Sequence, residues 1–402
     1  MLKSQKLREV APEVDPLRIG MGWTSEELKK PQIIIESTYG DSHPGSAHLN
    51  TLIKEAEKAV NFFGGKAAKY FTTDICDGQA QGHDGMNYSL ASREFIADMI
   101  EIQAMATPFD AGIFIASCDK GLPGNLIALA RLNIPSIVVT GGIMAAGPNM
   151  LTLEQLGTYS AKFERGEISK EEFSFAKENA CPSCGVCSFM GTASTMQIIS
   201  EALGLSLPGT ALLPVTSPDL LKSSYEAGKR VVELVKEKLF PTDILTEKAF
   251  ENAIMVHAAI AGSSNALLHI PAIAHEIGIK LSAEKFDEIH RKIPYILNIR
   301  PSGFYPGEYF YYAGGVPGIM EEIKKFLHLD VITVTGKTLR ENLEKLKKDG
   351  YYEKCYLELE KHNIKKDDII KTINNPIQRQ GSIAILKGNL APEGAVIKHS
   401  AV

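Results

Sequence analysis

Between residues 32 and 140, short apolar runs alternate with longer amphipathic segments. The amphipathic segments repeat apolar residues at the spacing of one helix face, and the apolar runs have the length of buried strands. The predicted strands are Gln32–Ser37, Lys69–Thr73, Ala111–Ser117 and Ser136–Thr140, and the predicted helices between them are Ser46–Phe63, Ser89–Ala106 and Gly124–Arg131. This alternation predicts an α/β fold with a mostly parallel sheet flanked by helices, which binds ligands beyond the carboxyl ends of its strands.

The remainder of the chain is predicted to be mainly helical. Ser217 followed by Pro218 has the pattern of an N-cap and first helical position, and Thr246 predicts a second cap. The Lys- and Glu-rich residues 337–373 predict solvated helices. Near the end, residues 382–386 predict a strand, followed by a turn-rich loop over 387–394.

Composition narrows the class of protein. The chain has 402 residues, of which 44% are hydrophobic and 23% charged, with a net charge of −5. These values exclude global disorder, collagen-like repeats and a coiled coil, and no basic run indicates a nucleic-acid groove. The polar first 31 residues lack a signal-peptide core, and no apolar stretch reaches the roughly 18 residues of a membrane span. We therefore expect a cytoplasmic protein that binds neither nucleic acid nor membrane.

The six cysteines are unevenly placed. They are too few for a disulfide scaffold, so we expect them to be free, metal-bound or catalytic. Cys181, Cys184 and Cys187 form a C-x2-C-x2-C run, whose thiolates could converge on one metal centre. A zinc site normally needs a second cysteine pair or histidines at matching spacing, whereas iron–sulfur clusters use this spacing with a distant further cysteine. The alternative is three small residues buried in a turn.

A second candidate group follows the third predicted strand. Cys118, Asp119 and Lys120 lie where residues 111–117 end, at the ligand-binding edge of the sheet. A thiolate suits iron and a carboxylate suits Mg²⁺, so their adjacency is unusual. The alternative is a strand-end turn whose Asp and Lys are solvated.

Asp77 follows the second predicted strand, so that Asp77 and Asp119 would converge from adjacent strand ends and form a Mg²⁺ site. The alternative is a Gly-rich connection in which Asp77 caps the next helix. Residues 191–195 could hold a substrate carboxylate at a helix start, or form a plain capped helix. His257 and His269 lie in apolar segments that are predicted to be helical, and they are expected to be core histidines.

Together, several segments resemble the dihydroxy-acid and sugar-acid dehydratases, a family of hydro-lyases that includes 6-phosphogluconate dehydratase. The resemblance runs from about Pro31 to Val402, with seven segments in the family's order. They are Gly82–Glu94, Cys118–Gly124, Cys181–Met196, Gly204–Gly209, Gly262–Asn265, Ala313–Pro317 and Lys387–Lys398. Within the family, His257–His275 and His328–Glu344 look like the bacterial D-xylonate dehydratases.

The resemblance implies roles for five of these residues. Cys118 and Cys187 would ligate an iron–sulfur cluster, Asp77 and Asp119 would bind Mg²⁺, and Lys120 would be carboxylated to a carbamate ligand of the same Mg²⁺. Many members carry a further cluster cysteine in the first strand–helix loop, where this chain has Gly45. The third thiolate would then come from Cys184, or less readily from Cys181, and we expect a 4Fe-4S rather than a 2Fe-2S cluster.

The activity that the resemblance implies is the dehydration of a 2,3-dihydroxy sugar acid such as D-xylonate to a 2-oxo-3-deoxy acid. Mg²⁺ would hold the substrate and the cluster would act as Lewis acid on the departing hydroxyl. The alternative is the dihydroxy-acid dehydratase of branched-chain amino acid biosynthesis. Further alternatives are a non-catalytic fragment that needs a partner chain, an electron-transfer iron–sulfur protein and a structural zinc protein.

The resemblance also predicts the domain organisation. Residues 1–375 would form one large α/β domain that binds the cluster and Mg²⁺, with residues 1–30 as a polar N-terminal arm. Residues 376–402 would be the first strands of a truncated C-terminal β-barrel domain. The family's serine base and a further glutamate ligand lie on that domain, so we expect the isolated chain to be inactive or incompletely assembled. A homodimer or tetramer is expected.

Overall fold

The structure, a computed structural model, describes residues 1–401, and Val402 of the predicted second domain lies outside the described residues. Its centre is a four-stranded parallel sheet in the order β2–β1–β3–β4. The strands are β1 (Gln32–Ser37), β2 (Lys66–Phe71), β3 (Ala111–Ala116) and β4 (Ser136–Thr140). Every residue of β1, β3 and β4 is buried, because helices cover both faces of a parallel sheet. The α/β class and the presence of the four strands are confirmed, although β2 begins and ends earlier than the predicted Lys69–Thr73.

Nineteen α-helices occur among the described residues. They are α1 (Lys3–Val10), α2 (Val14–Gly20), α3 (Leu49–Phe62), α4 (Asp77–Ala80), α5 (Ser89–Ala106), α6 (Gly121–Leu132), α7 (Leu156–Glu164), α8 (Lys170–Asn179), α9 (Thr192–Ala202), α10 (Pro218–Glu237), α11 (Pro241–Ile244), α12 (Glu247–Ala259), α13 (Ala266–His275), α14 (Ala283–Lys292), α15 (Glu308–Tyr312), α16 (Gly315–Glu322), α17 (Leu339–Lys348), α18 (Tyr351–Lys361) and α19 (Lys366–Ile369).

The strand order reverses between β1 and β3. The chain runs from β1 to β2 at one edge and then crosses back past β1 to β3 and β4. Since parallel crossovers are right-handed, the connections on the two sides of this reversal cover opposite faces, and a crevice opens beyond the carboxyl ends of β1 and β3. The prediction that Asp77 and Asp119 come from adjacent strands is wrong, because β1 lies between β2 and β3.

Helices α3 and α10 pack closely against each other on the sheet. The Ser224 hydroxyl of α10 donates to the Leu52 carbonyl of α3 over 2.7 Å. Both caps predicted from the sequence are present, since Ser217 accepts from the Asp219 amide and Thr246 from the Ala249 amide. Helix α9 is buried along its whole length, and its first turn therefore starts inside the protein.

The N-terminal residues, predicted as a polar arm, form helices α1 and α2 and attach to the sheet. Asp110, which precedes β3, accepts hydrogen bonds from the Ser4 amide at 3.0 Å and the Ser4 hydroxyl at 2.5 Å. Trp23 is buried, and the Arg18 guanidinium lies 4.6 Å from its ring centroid. A cation–π contact and a buried carboxylate thus hold this segment against the core.

Two further predictions need correction. The Lys- and Glu-rich helices are amphipathic rather than simply solvated, since α17 buries Leu343 and α18 buries Leu359. The residues predicted as a loop over 387–394 instead complete an antiparallel hairpin of β5 (Ile383–Gly388) and β6 (Ala391–Lys398). The exposure of β6 does not alternate along the strand, and Pro392 and Gly394 within it are typical turn residues, so its sequence does not indicate a strand. Over residues 1–401, the structure contains no helix long and apolar enough to cross a membrane.

Candidate functional site

Three strand ends meet in the crevice of the sheet. The loop after β1 carries His43 and Gly45, the segment after β2 carries Cys76 and Asp77, and the turn after β3 carries residues 118–120. Parallel strands end on the same side, which is why positions distant in the chain become neighbours here. The turn after β3 leads directly into α6, which begins at Gly121.

The carboxylate set is organised around Lys120. The Lys120 ammonium lies 2.7 Å from Asp77 Oδ2, and the Ser89 hydroxyl donates to Asp77 Oδ1 over 2.5 Å. Lys120 is buried, so its charge is neutralised by the carboxylate rather than by water. The structure therefore brings the predicted Mg²⁺ residues Asp77 and Lys120 into direct contact.

Asp119 stands beside this pair. Burial, followed by the negative charge of Asp77, raises the pKa of the Asp119 carboxyl, while the Lys120 ammonium and the Ala193 amide at the start of α9 oppose the rise. Two carboxylates with one ammonium between them leave one net negative charge in a partly enclosed space. A divalent cation held by carboxylate oxygens would compensate that charge.

Sulfur donors lie on the other side of Asp119. Cys118 is buried, and its thiol contacts Asp119 Oδ2 at 3.5 Å. Ligand atoms of His43, Cys76 and Cys118 all lie within 4.8 Å of one another. The hydrogen bond with Cys118 lowers the pKa of Cys76 to about 6, against a rise from burial and with further help from His43. Thiolate and imidazole are ligands that suit iron and zinc.

The C-x2-C-x2-C run borders the same crevice. Its Gly185 amide donates to the Pro44 carbonyl over 2.9 Å, which joins the run to the loop after β1. Burial raises the pKa of Cys187, with smaller contributions from the charges of Asp119 and Cys76 that place these groups near one another. Cys184 is half-buried and Cys181 exposed. Of the three, Cys187 is the one for which Asp119 is a near neighbour.

Gly185 is required at its position. Its φ of +108° lies in the region that L side chains rarely adopt, and a Cβ there would come within 2.5 Å of the Met144 amide nitrogen. The close approach lets the cysteine run pass against the residues that follow β4.

The hydroxyl-rich start of α9 has partners within the protein. Thr192 Oγ1 accepts from the Asn265 side chain at 2.7 Å, and Thr195 Oγ1 accepts from the Ser263 amide at 3.0 Å. These hydroxyls therefore have partners within the protein, while the N-cap residue of α9, Gly191, makes no side-chain cap, so neither alternative for residues 191–195 is confirmed. His257 and His269 are buried as expected, and burial lowers their pKa values to about 4 and about 3.

Sequence reasoning missed His43 and Cys76. Cys76 lies outside the C-x2-C-x2-C run, but Cys76-Asp77 repeats the dipeptide Cys118-Asp119 after a second parallel strand. That repetition is the signal that could have identified it. His43 gives no signal in the sequence, because its position depends on the loop after β1 folding back over the sheet edge.

The residues present fit a soft-metal centre beside a hard-cation centre. The buried His43 Nδ1 has no hydrogen-bond partner among the described residues, while its Nε2 lies 2.7 Å from Asp74 Oδ1. A ligating histidine typically donates its second ring nitrogen to a carboxylate in this way. Sulfur and imidazole donors thus adjoin the carboxylates of Asp77 and Asp119.

Comparisons with known proteins identify the family of this chain. The sequence profile of the dihydroxy-acid/6-phosphogluconate dehydratase N-terminal domain matches residues 30–342, and that of the C-terminal domain matches residues 368–402. The dihydroxy-acid dehydratase of Acetivibrio thermocellus is 41% identical over 387 residues, which cover 95% of this chain and 67% of the relative. That of Methanosarcina barkeri is 42% identical over 411 residues, covering 100% of this chain and 71% of the relative.

This chain therefore spans about two thirds of the length of the relatives that it matches. The family's members are dehydratases, that is, hydro-lyases, and the matched segments include every residue of the sheet-edge site. The chain belongs to the dihydroxy-acid/6-phosphogluconate dehydratase family.

Proposed function

We propose that this chain acts in the removal of water from a 2,3-dihydroxy carboxylic acid, which yields the corresponding 2-oxo acid. The observation that carries the proposal is the adjacency of the Cys118 thiol to the carboxylate set of Asp77, Asp119 and Lys120. The reaction has two barriers, since a proton next to a carboxylate is weakly acidic and hydroxide is a poor leaving group. A hard-cation site and a soft-metal site side by side can address these barriers with separate groups.

The substrate proposed first is a short branched dihydroxy acid of the kind used in branched-chain amino acid biosynthesis. The relatives are named dihydroxy-acid dehydratases, which supports this alternative better than the sugar acid expected from the sequence. The segment that resembles the D-xylonate dehydratases includes His257 and His269, and both are buried core residues. D-xylonate remains the comparison substrate.

The cofactors proposed are an iron–sulfur cluster, of the 4Fe-4S type, and Mg²⁺. Cys118 and Cys187 would hold the cluster, with Cys184 as the third thiolate predicted from the sequence. Asp77, Asp119 and a carboxylated Lys120 would hold Mg²⁺. When bound, these groups supply Lewis acidity to the leaving hydroxyl and to the substrate carboxylate.

The chain's own residues prepare the hard-cation site. Ser89 fixes one oxygen of Asp77 through its hydroxyl, and the Lys120 ammonium holds the other. The Ala193 amide at the start of α9 favours the charged form of Asp119. Carboxylation of Lys120 would replace its ammonium by an anionic oxygen donor. Asp77, Asp119 and the carbamate would then be three negative groups, which a bound cation has to balance.

Metal analysis of the full chain purified anaerobically tests the proposal. We expect iron and sulfide in equal amounts, and a visible-absorption change on addition of the branched dihydroxy acid that is larger than the change caused by D-xylonate. Stoichiometric zinc without iron would contradict the proposal. A preference for D-xylonate would return the substrate to the sugar-acid class.

A homodimer or tetramer in the cytoplasm is also part of the proposal. Helix α5 offers an apolar surface for association, since Phe95 is 74%, Ile102 61% and Met105 63% exposed. Large apolar side chains grouped in this way commonly mark a protein interface. Light scattering at micromolar concentration should give at least a dimer, and a monomer would contradict this part.

A further inference from the structure

Strands β2 and β3 are each followed by the dipeptide Cys-Asp, and the two dipeptides lie close together in the fold. Cys76-Asp77 follows β2, and Cys118-Asp119 follows β3. The aspartates share Lys120 as a neighbour, and the Sγ atoms of Cys76 and Cys118 lie within 4.8 Å of each other. Each of these strand ends therefore offers one soft donor and one hard donor, with the soft donors on the same side.

The loop after β1, the strand that lies between β2 and β3, contains no cysteine. In the loop after β1, an ideal Cβ on Gly45 would lie 3.2 Å from Cys118 Sγ and 3.1 Å from His43 Nδ1. The loop backbone thus lies close to Cys118, and a Cβ at position 45 would require its neighbours to shift by a few tenths of an ångström. Since Gly45 carries no thiol, a thiolate that joins Cys118 has to come from another element.

A histidine ring nitrogen near these two sulfurs has no hydrogen-bond partner among the described residues. His43 and Asp74 are buried, and a carboxylate at Nε2 favours the tautomer in which Nε2 carries the proton. Nδ1 has no hydrogen-bond partner among the described residues, and one ring nitrogen of His43 lies within 4.8 Å of both sulfurs. Two thiols and an unpartnered imidazole nitrogen enclosed together have the composition of a metal site.

We propose that Cys76 is a thiolate ligand of the iron–sulfur centre, paired with Cys118. The inference rests on the proposed function, because it presupposes a cluster at this sheet edge. It moves the third thiolate from Cys184 to Cys76 and leaves Cys187 in place. Among the residues 1–401, only His43, Cys76 and Cys118 form a group of three potential ligands within 4.8 Å of one another. Cys184 and Cys187 both lie outside that group, and Cys187 is retained because the charges of Asp119 and Cys76 act on its thiol.

Three serine variants of the full chain test the assignment. Each is reconstituted anaerobically with iron and sulfide, and its iron, its acid-labile sulfide and the electron paramagnetic resonance of the reduced protein are measured. We expect Cys76→Ser to lower cluster content about tenfold, because loss of a ligand weakens metal retention strongly. Cys184→Ser should match the wild type, as should the control Cys355→Ser in α18.

A second measurement uses only the wild-type chain, so it does not depend on the folding of a variant. Iodoacetamide labels the cluster-loaded chain and the chain stripped with a chelator, and mass spectrometry quantifies each cysteine. Cys76 should be labelled about tenfold less in the loaded chain, since a metal-bound thiolate is a poor nucleophile. Cys184 should be labelled to the same extent in both.

The outcomes separate the two proposals. A wild-type chain that binds no iron and sulfide refutes the proposed function. A wild-type chain that loads a cluster while Cys76→Ser loads equally, with an unchanged spectrum and equal labelling of Cys76, overturns the ligand assignment alone. Loss of the cluster in Cys184→Ser but not in Cys76→Ser restores Cys184 as the third thiolate.

Discussion

The Lys120 ammonium lies 2.7 Å from Asp77 Oδ2, although the two residues are 43 positions apart in the chain. Lys120 follows β3 and Asp77 follows β2, with β1 between the two strands. The ion pair therefore bridges the mouth of the crevice above β1. It joins the turn that carries Cys118 to the segment that carries Cys76, so the stability of the hard-cation site and the geometry of the soft-metal site are linked.

Replacing Lys120 should destabilise the metal-free chain. In Lys120→Met, the Asp77 carboxylate, whose side chain is 17% exposed, would face Asp119 with no cation, at a cost of about 1–3 kcal/mol in the free energy of unfolding. Mg²⁺ should recover part of this loss. The matched control is Lys345→Met, whose ammonium pairs with Asp349 on the surface and should cost about 0–1 kcal/mol. Chemical unfolding with and without Mg²⁺ measures both, and equal losses would contradict the prediction.

Gly185 should tolerate no side chain. Gly185→Ala would strain a φ of +108° and force a Cβ to within 2.5 Å of the Met144 nitrogen, so we expect a loss of about 3 kcal/mol or more. Gly22→Ala is the matched control, because Gly22 has a φ of +92° but nothing within 4 Å of its Cβ position. It should lose only the conformational part, about 1 kcal/mol. Thermal unfolding compares them, and similar losses would show that the close contact is unimportant.

The stability of the chain should depend on pH through His257. This ring is buried, with Nδ1 3.0 Å from His290 Nε2 and Nε2 2.9 Å from the Ser263 carbonyl. Burial lowers its pKa from 6.5 to about 4. Since the folded pKa is depressed, the unfolded chain binds more protons between these values, and stability present above pH 6.5 is lost as pH falls toward 4.

The variant His257→Gln removes this contribution, together with the part of the lowered pKa of His290 that the charge of His257 causes. Its baseline stability will be lower, because glutamine cannot reproduce both ring contacts. Below pH 6.5 the wild type should lose about 1 kcal/mol per pH unit more than the variant. Urea unfolding at several pH values gives both slopes, and parallel slopes would refute the prediction.

Asp110 should control the attachment of the N-terminal helices. It accepts from the Ser4 amide and hydroxyl and, over 2.8 Å, from the Gln32 amide at the start of β1. Asp110→Ala leaves these buried donors without an acceptor, which should cost about 2–4 kcal/mol and accelerate proteolysis within α1. Asp330→Ala, which removes an exposed ion pair with Lys248, should leave stability and the proteolysis of α1 unchanged. Unchanged proteolysis of α1 in Asp110→Ala would contradict this account.

The sheet was predictable because its strands carry a strong local signal. Gln32–Ser37 and Ser136–Thr140 were predicted with the bounds that the structure has, since a strand buried on both faces is a continuous apolar run. The hairpin strand Ala391–Lys398 was not predicted, because it is partly exposed and contains Pro392 and Gly394. Such residues indicate a turn locally, and pairing with Ile383–Gly388 overrides that preference.

The α/β class, the residues that follow β2 and β3, and the family of the chain can all be inferred from the amino-acid sequence. Those properties depend on periodicity and on the order of short segments, both of which are local. The folded structure is needed to show that β1 separates Asp77 from Asp119, that Lys120 nevertheless bridges to Asp77, and that His43 and Cys76 join Cys118. These relations depend on strand order and on how loops fold over the sheet edge. The residues that become neighbours in this way are far apart in the chain, so no local sequence pattern predicts their contact.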